Sequence, residues 1–439
     1  MATLRVGLGT LRRVFDPESE EDFAMAPQFG SRSAAMVALQ LMAMGLIGAG
    51  ATGCMGMPGP RNAPPALAGA HAVGVVTIGL TDDARDRSLE VEVWYPARPH
   101  TGTPKRMYRL KGAAGMTVAR LRSPLSARRA ARLDPAGGPH PVVLLSHGAT
   151  SSRLAHVGLA EVLASHGYIV AAPDHRGHTM ADKLGGVSLD QRARAAFDRP
   201  LDLSRTLDEL IARAADRTSV FHAGVDATRV AVAGHSFGGR TALGLVGARF
   251  NGARQARECQ PGTDDRRCHA LPVFGPTSYR YHDARVKAAL LIAPSGFKFY
   301  RGDGVANVTT PTLVVGARND RTTPYDVHHG PIFASLRGPR YLLDLDRAGH
   351  LTATDVCAVV RSVGFLARLV GGDEARDGCG EDYMTPAAAM DRLYAAALPF
   401  LDLHLNGNAD AEASLQSALM PPAKARPVRV AAAPRRSKL

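Results

Sequence analysis

From about residue 73 onward the chain alternates short apolar runs with longer stretches in which apolar residues recur every three or four positions. Val142-Val-Leu-Leu145, Val230-Ala-Val-Ala233, Thr312-Leu-Val-Val315 and Arg340-Tyr-Leu-Leu343 are short and mostly apolar, the pattern of parallel strands covered on both faces. Helical spacing marks Leu154 to Ser165, Leu201 to Ala215, Gly239 to Arg249 and Ala387 to Leu405. Runs bounded by Gly and Pro that alternate with such helices give a βαβ rhythm. The expected architecture is therefore α/β, a mostly parallel sheet flanked by helices. Two stretches, Thr179 to Phe197 and Phe250 to His282, interrupt the rhythm and read as loop or cap insertions that set specificity.

The N-terminal part follows another pattern. Ala34 to Gly53 is apolar apart from Gln40, Thr52 and glycines, and Arg32 precedes it. Ala51-Thr52-Gly53-Cys54 resembles a lipoprotein cleavage box, with Ala51 where such boxes prefer Leu. The expectation is an exported chain, lipidated at Cys54 and tethered to the membrane through Pro58 to Pro65. Cleavage after Ala51, an uncleaved membrane helix and a buried helix are the rival readings. The acidic cluster Asp16, Glu18, Glu20, Glu21, Asp22 stands where a leader needs positive charge, so the start is expected near Met25. The terminal Ser437-Lys438-Leu439 matches a peroxisomal address, read here as coincidence because leader and cysteines oppose it. From Pro421 the Ala/Pro-rich chain carries Lys424, Arg426, Arg429, Arg435, Arg436 and Lys438 without an acid and reads as disordered. The expected organisation is a leader over 1–54, a linker over 55–70, one catalytic domain over 71–406 and a tail over 407–439.

Composition narrows the function classes. Apolar residues make up 45% of the chain and mean hydropathy is −0.08, so a sizeable core is available. The net charge of +13 would suit nucleic acid, but the arginines are scattered and no recognition motif accompanies them; no nucleic-acid partner is expected. There is no internal repeat, dinucleotide motif, P-loop, CxxC or histidine cluster, so neither cofactor nor metal is expected.

The densest chemistry lies in Arg229-Val-Ala-Val-Ala-Gly-His-Ser-Phe-Gly-Gly239. It reads strand, Gly234-His235-Ser236-Phe237-Gly238, then helix, which is the G-x-S-x-G nucleophile elbow. A serine hydroxyl is a poor nucleophile until a base removes its proton. Two later strands end near the required partners, Asp320 past Thr312–Val315 and His350 in Gly349-His350. The order Ser236, Asp320, His350 is that of α/β-hydrolases. Asp344 and Asp346 are rival acids, ranked lower because they lie within or just past a strand. Val142-Val-Leu-Leu-Ser-His-Gly148 followed by Ala149 is the loop expected to supply one oxyanion N–H, with Phe237 supplying the second. His166, His175, His178 and His235 are expected to do structural or surface work.

These segments resemble the bacterial relatives of platelet-activating-factor acetylhydrolase, a group also labelled predicted dienelactone hydrolase. The resemblance runs from about Gly74 to Leu405. Trp94-Tyr95-Pro96, Leu145-Ser-His-Gly148, Tyr168-Ile-Val-Ala-Ala-Pro-Asp-His175, Gly234-His-Ser-Phe-Gly-Gly239, Ala348-Gly-His350 and Thr354-Asp-Val-Cys357 carry it. It implies an α/β-hydrolase fold, a Ser236–Asp320–His350 triad, oxyanion donors Ala149 and Phe237, and ester hydrolysis without a cofactor. Dienelactone hydrolases use a cysteine nucleophile, so Ser236 argues against that reaction. Cys259, Cys268, Cys357 and Cys379 allow three pairings. Local closure, Cys259–Cys268 and Cys357–Cys379, is preferred, since both pairs border loops and related sequences carry the same cysteines. The resulting expectation is an exported serine esterase acting on short-acyl, phospholipid-like esters. The alternatives are a cutinase-like polyesterase and, from another class, a non-catalytic membrane-tethered binding protein.

Overall fold

A computed structural model describes residues 68–105, 107–112, 115–259, 279–363 and 374–420. The leader, Cys54, the linker up to residue 67, Cys268 and the tail from Pro421 lie outside the described residues. The strands in chain order are β1 Ala72–Asp82, β2 Arg87–Ala97, β3 Thr103–Pro104, β4 Met107–Lys111, β5 Thr117–Arg122, β6 Arg128–Arg129, β7 His140–Ser146, β8 Ile169–Pro173, β9 Val225–His235, β10 Arg249–Phe250, β11 Tyr279–Arg280, β12 Val286–Ile292, β13 Thr312–Ala317 and β14 Arg340–Leu345. The α-helices are α1 Val157–Ser165, α2 Met180–Leu184, α3 Leu189–Ala215, α4 Phe237–Leu245, α5 Gly252–Glu258, α6 Phe297–Val305, α7 His329–Ser335, α8 Val356–Val363, α9 Pro386–Leu405 and α10 Ala411–Leu419.

The main sheet has the order β14-β13-β12-β9-β7-β8-β2-β1-β6-β3. The six strands from β14 to β8 are mutually parallel, while β2 is antiparallel to β8 and β1 antiparallel to β2. Alternation along each strand feeds two cores. Val143 and Leu145 of β7 join Ala233, Leu290, Leu313 and Leu343 under α1 and α9. Val142 and Leu144 join Val232, Leu291 and Val314 under α3 and α4. Both faces are thus covered, as parallel sheets require. Among the described residues no helix is long and apolar enough to cross a membrane.

Three elements differ from expectation. Helix α3 begins at Leu189 and runs through Pro200, although the sequence pattern starts a helix at Leu201. Proline removes one hydrogen bond. Here a Ser188/Gln191 capping box starts the helix early, and buried Ala193, Ala196 and Phe197 precede the proline while Leu203 and Leu207 follow it. Of the first expected insertion only residues 179–188 stand apart from α3, and α2 occupies them behind its own Thr179/Asp182 capping box. The tail expected from residue 407 carries α10, which buries Ala411 and Leu415 and packs against α9 and β14. Its inward apolar positions Ala411, Leu415 and Leu419 are four apart, and with one only an alanine and another at the helix end they do not stand out in a polar segment.

The β4–β5 hairpin has no counterpart in the sequence pattern. Glu161 on α1 holds it in place. Its buried carboxyl accepts from the Tyr108 hydroxyl (2.6 Å), the Ser123 hydroxyl (2.7 Å) and the Leu125 N–H (2.7 Å). The Tyr108 hydroxyl in turn accepts from Trp94 Nε1 (2.8 Å).

Candidate active site

The chain turns from β9 into α4 through one residue, Ser236, at φ 55°, ψ −119°. A non-glycine residue in that region stores about 1–3 kcal/mol, and it persists only where its surroundings hold it. Here the Ser236 N–H donates to the Ile292 carbonyl (3.0 Å), and the Ser236 carbonyl accepts from Ser295 N–H (3.1 Å) and Gly239 N–H (2.9 Å). The glycines are a steric necessity. A Cβ at Gly234 would overlap the Gly238 carbonyl, and one at Gly238 would overlap the Ser146 carbonyl. The elbow read from the sequence is therefore present in full.

The acid and the imidazole meet at the ends of the next strands. His350 Nδ1 lies 2.8 Å from Asp320 Oδ2, and both side chains are buried. Asp320 Oδ1 accepts the N–H groups of Thr322 (2.9 Å) and Thr323 (2.7 Å), while the Thr323 hydroxyl lies 2.9 Å from Oδ2. Burial disfavours the carboxylate, but His350 and these donors outweigh it and hold Asp320 below the ordinary carboxylate range. His329 packs behind, its Nε2 3.6 Å from Asp320 Oδ2. Burial pushes His329 down to about 3, so it is neutral. Its Nδ1 accepts the Ala317 N–H (3.3 Å), which leaves the ring proton on Nε2, facing Thr323 and Asp320. Asp344 is occupied by a salt bridge to Arg318, which removes it as a rival acid.

Sequence reasoning placed His235 in the elbow and expected structural or surface work of it; the structure gives it structural work, buttressing the imidazole loop. Its Nε2 donates to the His350 carbonyl (2.9 Å), and the two rings lie 4.7 Å apart. Burial, reinforced by His350 and His156, drives His235 well below the ordinary histidine range, so this bond is made by the neutral ring. The residue before the nucleophile thereby links Ser236 to the loop that carries His350.

The turn after β7 lies against the elbow. A Cβ on Gly148 would stand 3.5 Å from Ser236 Cβ. Ala149, the expected donor in this turn, is half-buried, and its N–H makes no hydrogen bond among the described residues. Phe237 opens α4, where first-turn N–H groups have no intrahelical acceptor. Beneath this turn lies a buried polar floor. The Arg199 guanidinium donates to the His147 carbonyl and to the Ser146 hydroxyl (3.0 Å) and lies 4.9 Å from the Phe237 ring. Ser146 also contacts His175 Nε2 (3.0 Å), whose Nδ1 meets Asp202 (3.0 Å). Burial lowers Arg199 to about 9, with Asp202 opposing that shift. His175 and His178, expected to be structural or surface residues, are structural ones in this floor; both are buried and held well below the ordinary histidine range by burial, then by Arg199.

Asp377 left no motif in the sequence. It is 4% exposed, and its carboxylate bonds the backbones of both the Asp320 turn and the His350 loop. Cys379, two residues on, forms the expected disulfide with Cys357. Cys259 is also disulfide-bonded; its expected partner Cys268 is outside the described residues. Among the described residues no His/Cys/Asp/Glu group could hold a metal.

A cavity of about 350 Å³ opens beyond the turn after β7, lined by Ser151, Ser152 and Leu154 on one side and by α2 and the β4–β5 hairpin on the other; Ser236, Asp320 and His350 are not among its lining residues. Ser151 lies three residues past Gly148, a span of at most about 11 Å. Exposed Met116, Val118 and Leu184 belong to the same hairpin and helix. Arg153 in its wall is saturated by Glu90, Glu92 and Asp174.

Comparison with known proteins fits this geometry. A family model described as chlorophyllase matches residues 131–252, from just before β7 to just past α4. The cutinase est2 of Thermobifida alba is 27% identical over 235 residues, 53% of this chain and 60% of that protein. The chain therefore spans somewhat under two thirds of the cutinase relative it matches. Platelet-activating factor acetylhydrolase of Cavia porcellus is 27% identical over 138 residues and 32% of its length. A solved ferulic acid esterase from Streptomyces cinnamoneus is 26% identical, with a TM-score of 0.52, covering 80% of this chain and 94% of that one. With the sheet order above, the fold is that of the α/β-hydrolases.

Proposed function

We propose that this α/β-hydrolase is a carboxylic ester hydrolase working through an acyl-enzyme, with Ser236 as nucleophile, His350 as base and Asp320 as the acid behind it. The observation that carries the reading is the buried 2.8 Å contact between His350 Nδ1 and Asp320, beside a strained serine elbow. Asp320 fixes His350 with its proton on Nδ1, so Nε2 is the basic nitrogen. Ser236 loses its proton to that nitrogen as it attacks the ester carbonyl, and the oxyanion forms against the N–H groups of Ala149 and Phe237. His350 then protonates the departing alcohol. Water, deprotonated in turn by His350, frees the acid.

For the substrate, cutinase-like esters with an extended aliphatic part fit better than short-acyl phospholipid-like esters. At equal identity the cutinase match is 235 residues long and the acetylhydrolase match 138. The cavity past Ala149 offers room for a longer chain, and exposed Met116, Val118 and Leu184 lie on the hairpin and helix that border it. The shorter match keeps the acetylhydrolase-like reading second. Export is part of the proposal, because the Cys357–Cys379 disulfide calls for an oxidising compartment. A lipid anchor at Cys54 would place the enzyme at a membrane.

The test is a panel of p-nitrophenyl esters of rising chain length, an aliphatic polyester film and a short-acyl phospholipid, each with wild type and Ser236→Ala. Expected are activity on the esters and the film, weaker activity on the phospholipid, and none in the variant. Preference for the phospholipid would reverse the substrate ranking, and activity in Ser236→Ala would remove the nucleophile.

A further inference from the structure

Two loops must keep their register if a proton is to move between Ser236 and His350. The turn after β13 carries Asp320, and the loop after β14 carries His350. They share backbone bonds near the strand ends, Arg318 N–H to the Leu345 carbonyl (3.1 Å) and Asn319 N–H to the Ala348 carbonyl (2.8 Å). Beyond that point a third segment joins them. Asp377 Oδ2 accepts the N–H of Arg321 (2.9 Å), the N–H of Thr322 (2.9 Å) and the Thr322 hydroxyl (2.8 Å). Asp377 Oδ1 accepts the N–H of His350 itself (3.2 Å), and the Asp377 carbonyl accepts the N–H of Leu351 (2.8 Å). One buried carboxylate thus holds the backbone on the C-terminal side of the acid and at the base.

The carboxylate is itself anchored. Cys379 is bonded to Cys357 of α8, which is fully buried. Between them the Gly378 carbonyl accepts the Thr352 hydroxyl (2.9 Å), and that hydroxyl accepts the Gly349 N–H (2.9 Å). The contacts are shape-specific, since a Cβ on Gly349 would press on Asp377 Oδ1 and one on Gly378 would press on Thr352 Oγ1.

We propose that Asp377, anchored by the Cys357–Cys379 disulfide, is a positioning residue of the hydrolysis, setting the distance and angle between the Asp320 turn and the His350 backbone. The inference rests on the serine-esterase reading above. Asp377 does not touch the reacting atoms and acts through His350 and Asp320. Four donors from the two loops converge on this one carboxylate, and shifts of about 1 Å in a catalytic array cost on the order of 10²-fold in rate.

The test is Asp377→Asn, whose amide nitrogen cannot accept from Arg321, Thr322 and His350 together. Active sites are titrated with a fluorophosphonate, and kcat, KM and labelling rate are measured per titrated site. The expected result is kcat about 10²-fold lower, labelling slowed in parallel, KM within about twofold and the acid limb of the kcat/KM profile displaced. A lower melting temperature with unchanged kcat per site would overturn the proposal, reducing Asp377 to a stabilising residue. Thr322→Val, which deletes only the hydroxyl contact, keeps the question open to refutation if Asp377→Asn does not fold. It should lower kcat about threefold or more, scaled from the same sensitivity, and an unchanged kcat would overturn the proposal. Wild type that neither labels nor hydrolyses would instead remove the esterase reading itself.

Discussion

At Ser236 the proposed chemistry begins with the backbone conformation. At φ 55° the chain turns sharply enough to leave the side chain at the end of β9, and the Ile292 and Ser295 bonds hold it there. Ser236→Ala keeps that backbone, so hydrolysis of p-nitrophenyl acetate should disappear while the melting temperature stays within about 2 °C, the shift of a surface-sized change. Asp320→Asn should lower kcat about 10⁴-fold with little effect on KM, because an amide can donate to His350 Nδ1 and favour the wrong tautomer. The same variant has a signature in pH. The folded-state pKa of Asp320 is depressed, so its stabilising contribution is present above the unfolded carboxylate value and is lost as pH falls through the folded one. Urea unfolding of wild type and Asp320→Asn should therefore converge as pH drops below about 4. A constant difference between them down to pH 2 would contradict the ionised pairing.

Elements show where sequence patterning succeeds and where it stops. Strands β7, β9, β13 and β14 were legible because each is a short, mostly apolar run closed by a turn. The candidate elbow was legible because glycines and a serine at fixed spacing follow an apolar strand, and candidate partners come downstream in the α/β-hydrolase order. The early start of α3 was hidden by Pro200, since a local rule outweighed a buried face that only tertiary structure reveals. The β4–β5 hairpin was hidden because its register is set from outside, by Glu161 on another element. That anchor titrates unusually. Burial outweighs the three hydrogen bonds the carboxylate accepts and raises Glu161 from 4.5 to about 7. The folded state then holds a proton that the unfolded state has released, so stability falls as pH rises from about 4.5 to 7. The effect is on the order of 3 kcal/mol. Glu161→Gln should flatten that slope in urea titrations, and an unchanged slope would place the titration elsewhere. Helix α10 offers a second check. Leu415 is fully buried, so Leu415→Ala should cost about 2–4 kcal/mol and leave kcat nearly unchanged. A loss below about 0.5 kcal/mol, the usual size of a surface change, would mean that the helix does not dock.

Across the whole molecule, six parallel strands bring distant residues to one sheet edge. The ends of β7, β9, β13 and β14 lead into the proposed oxyanion turn, Ser236, Asp320 and His350, as open parallel sheets gather ligand sites beyond their carboxyl ends. That placement at strand ends could be read from order and spacing. The supports around it could not, because Thr323, His329 and Asp377 belong to no short motif, His235 sits in the elbow motif at a position any residue can fill, and all four matter through their neighbours in space. Asp377 is the furthest case, contributed by a segment 27 residues past the base it holds. The proposed substrate preference rests on the cavity between the turn after β7, α2 and the β4–β5 hairpin, where side chains from separate stretches meet. The account stands on Ser236 being activated by that assembly. Its most direct test is mass spectrometry of the intact protein and of the peptide containing Ser236 after exposure to a fluorophosphonate at neutral pH. One adduct per chain, on Ser236 and greatly slowed in His350→Ala, is the predicted result. An unlabelled chain, or an adduct on another residue, would contradict it.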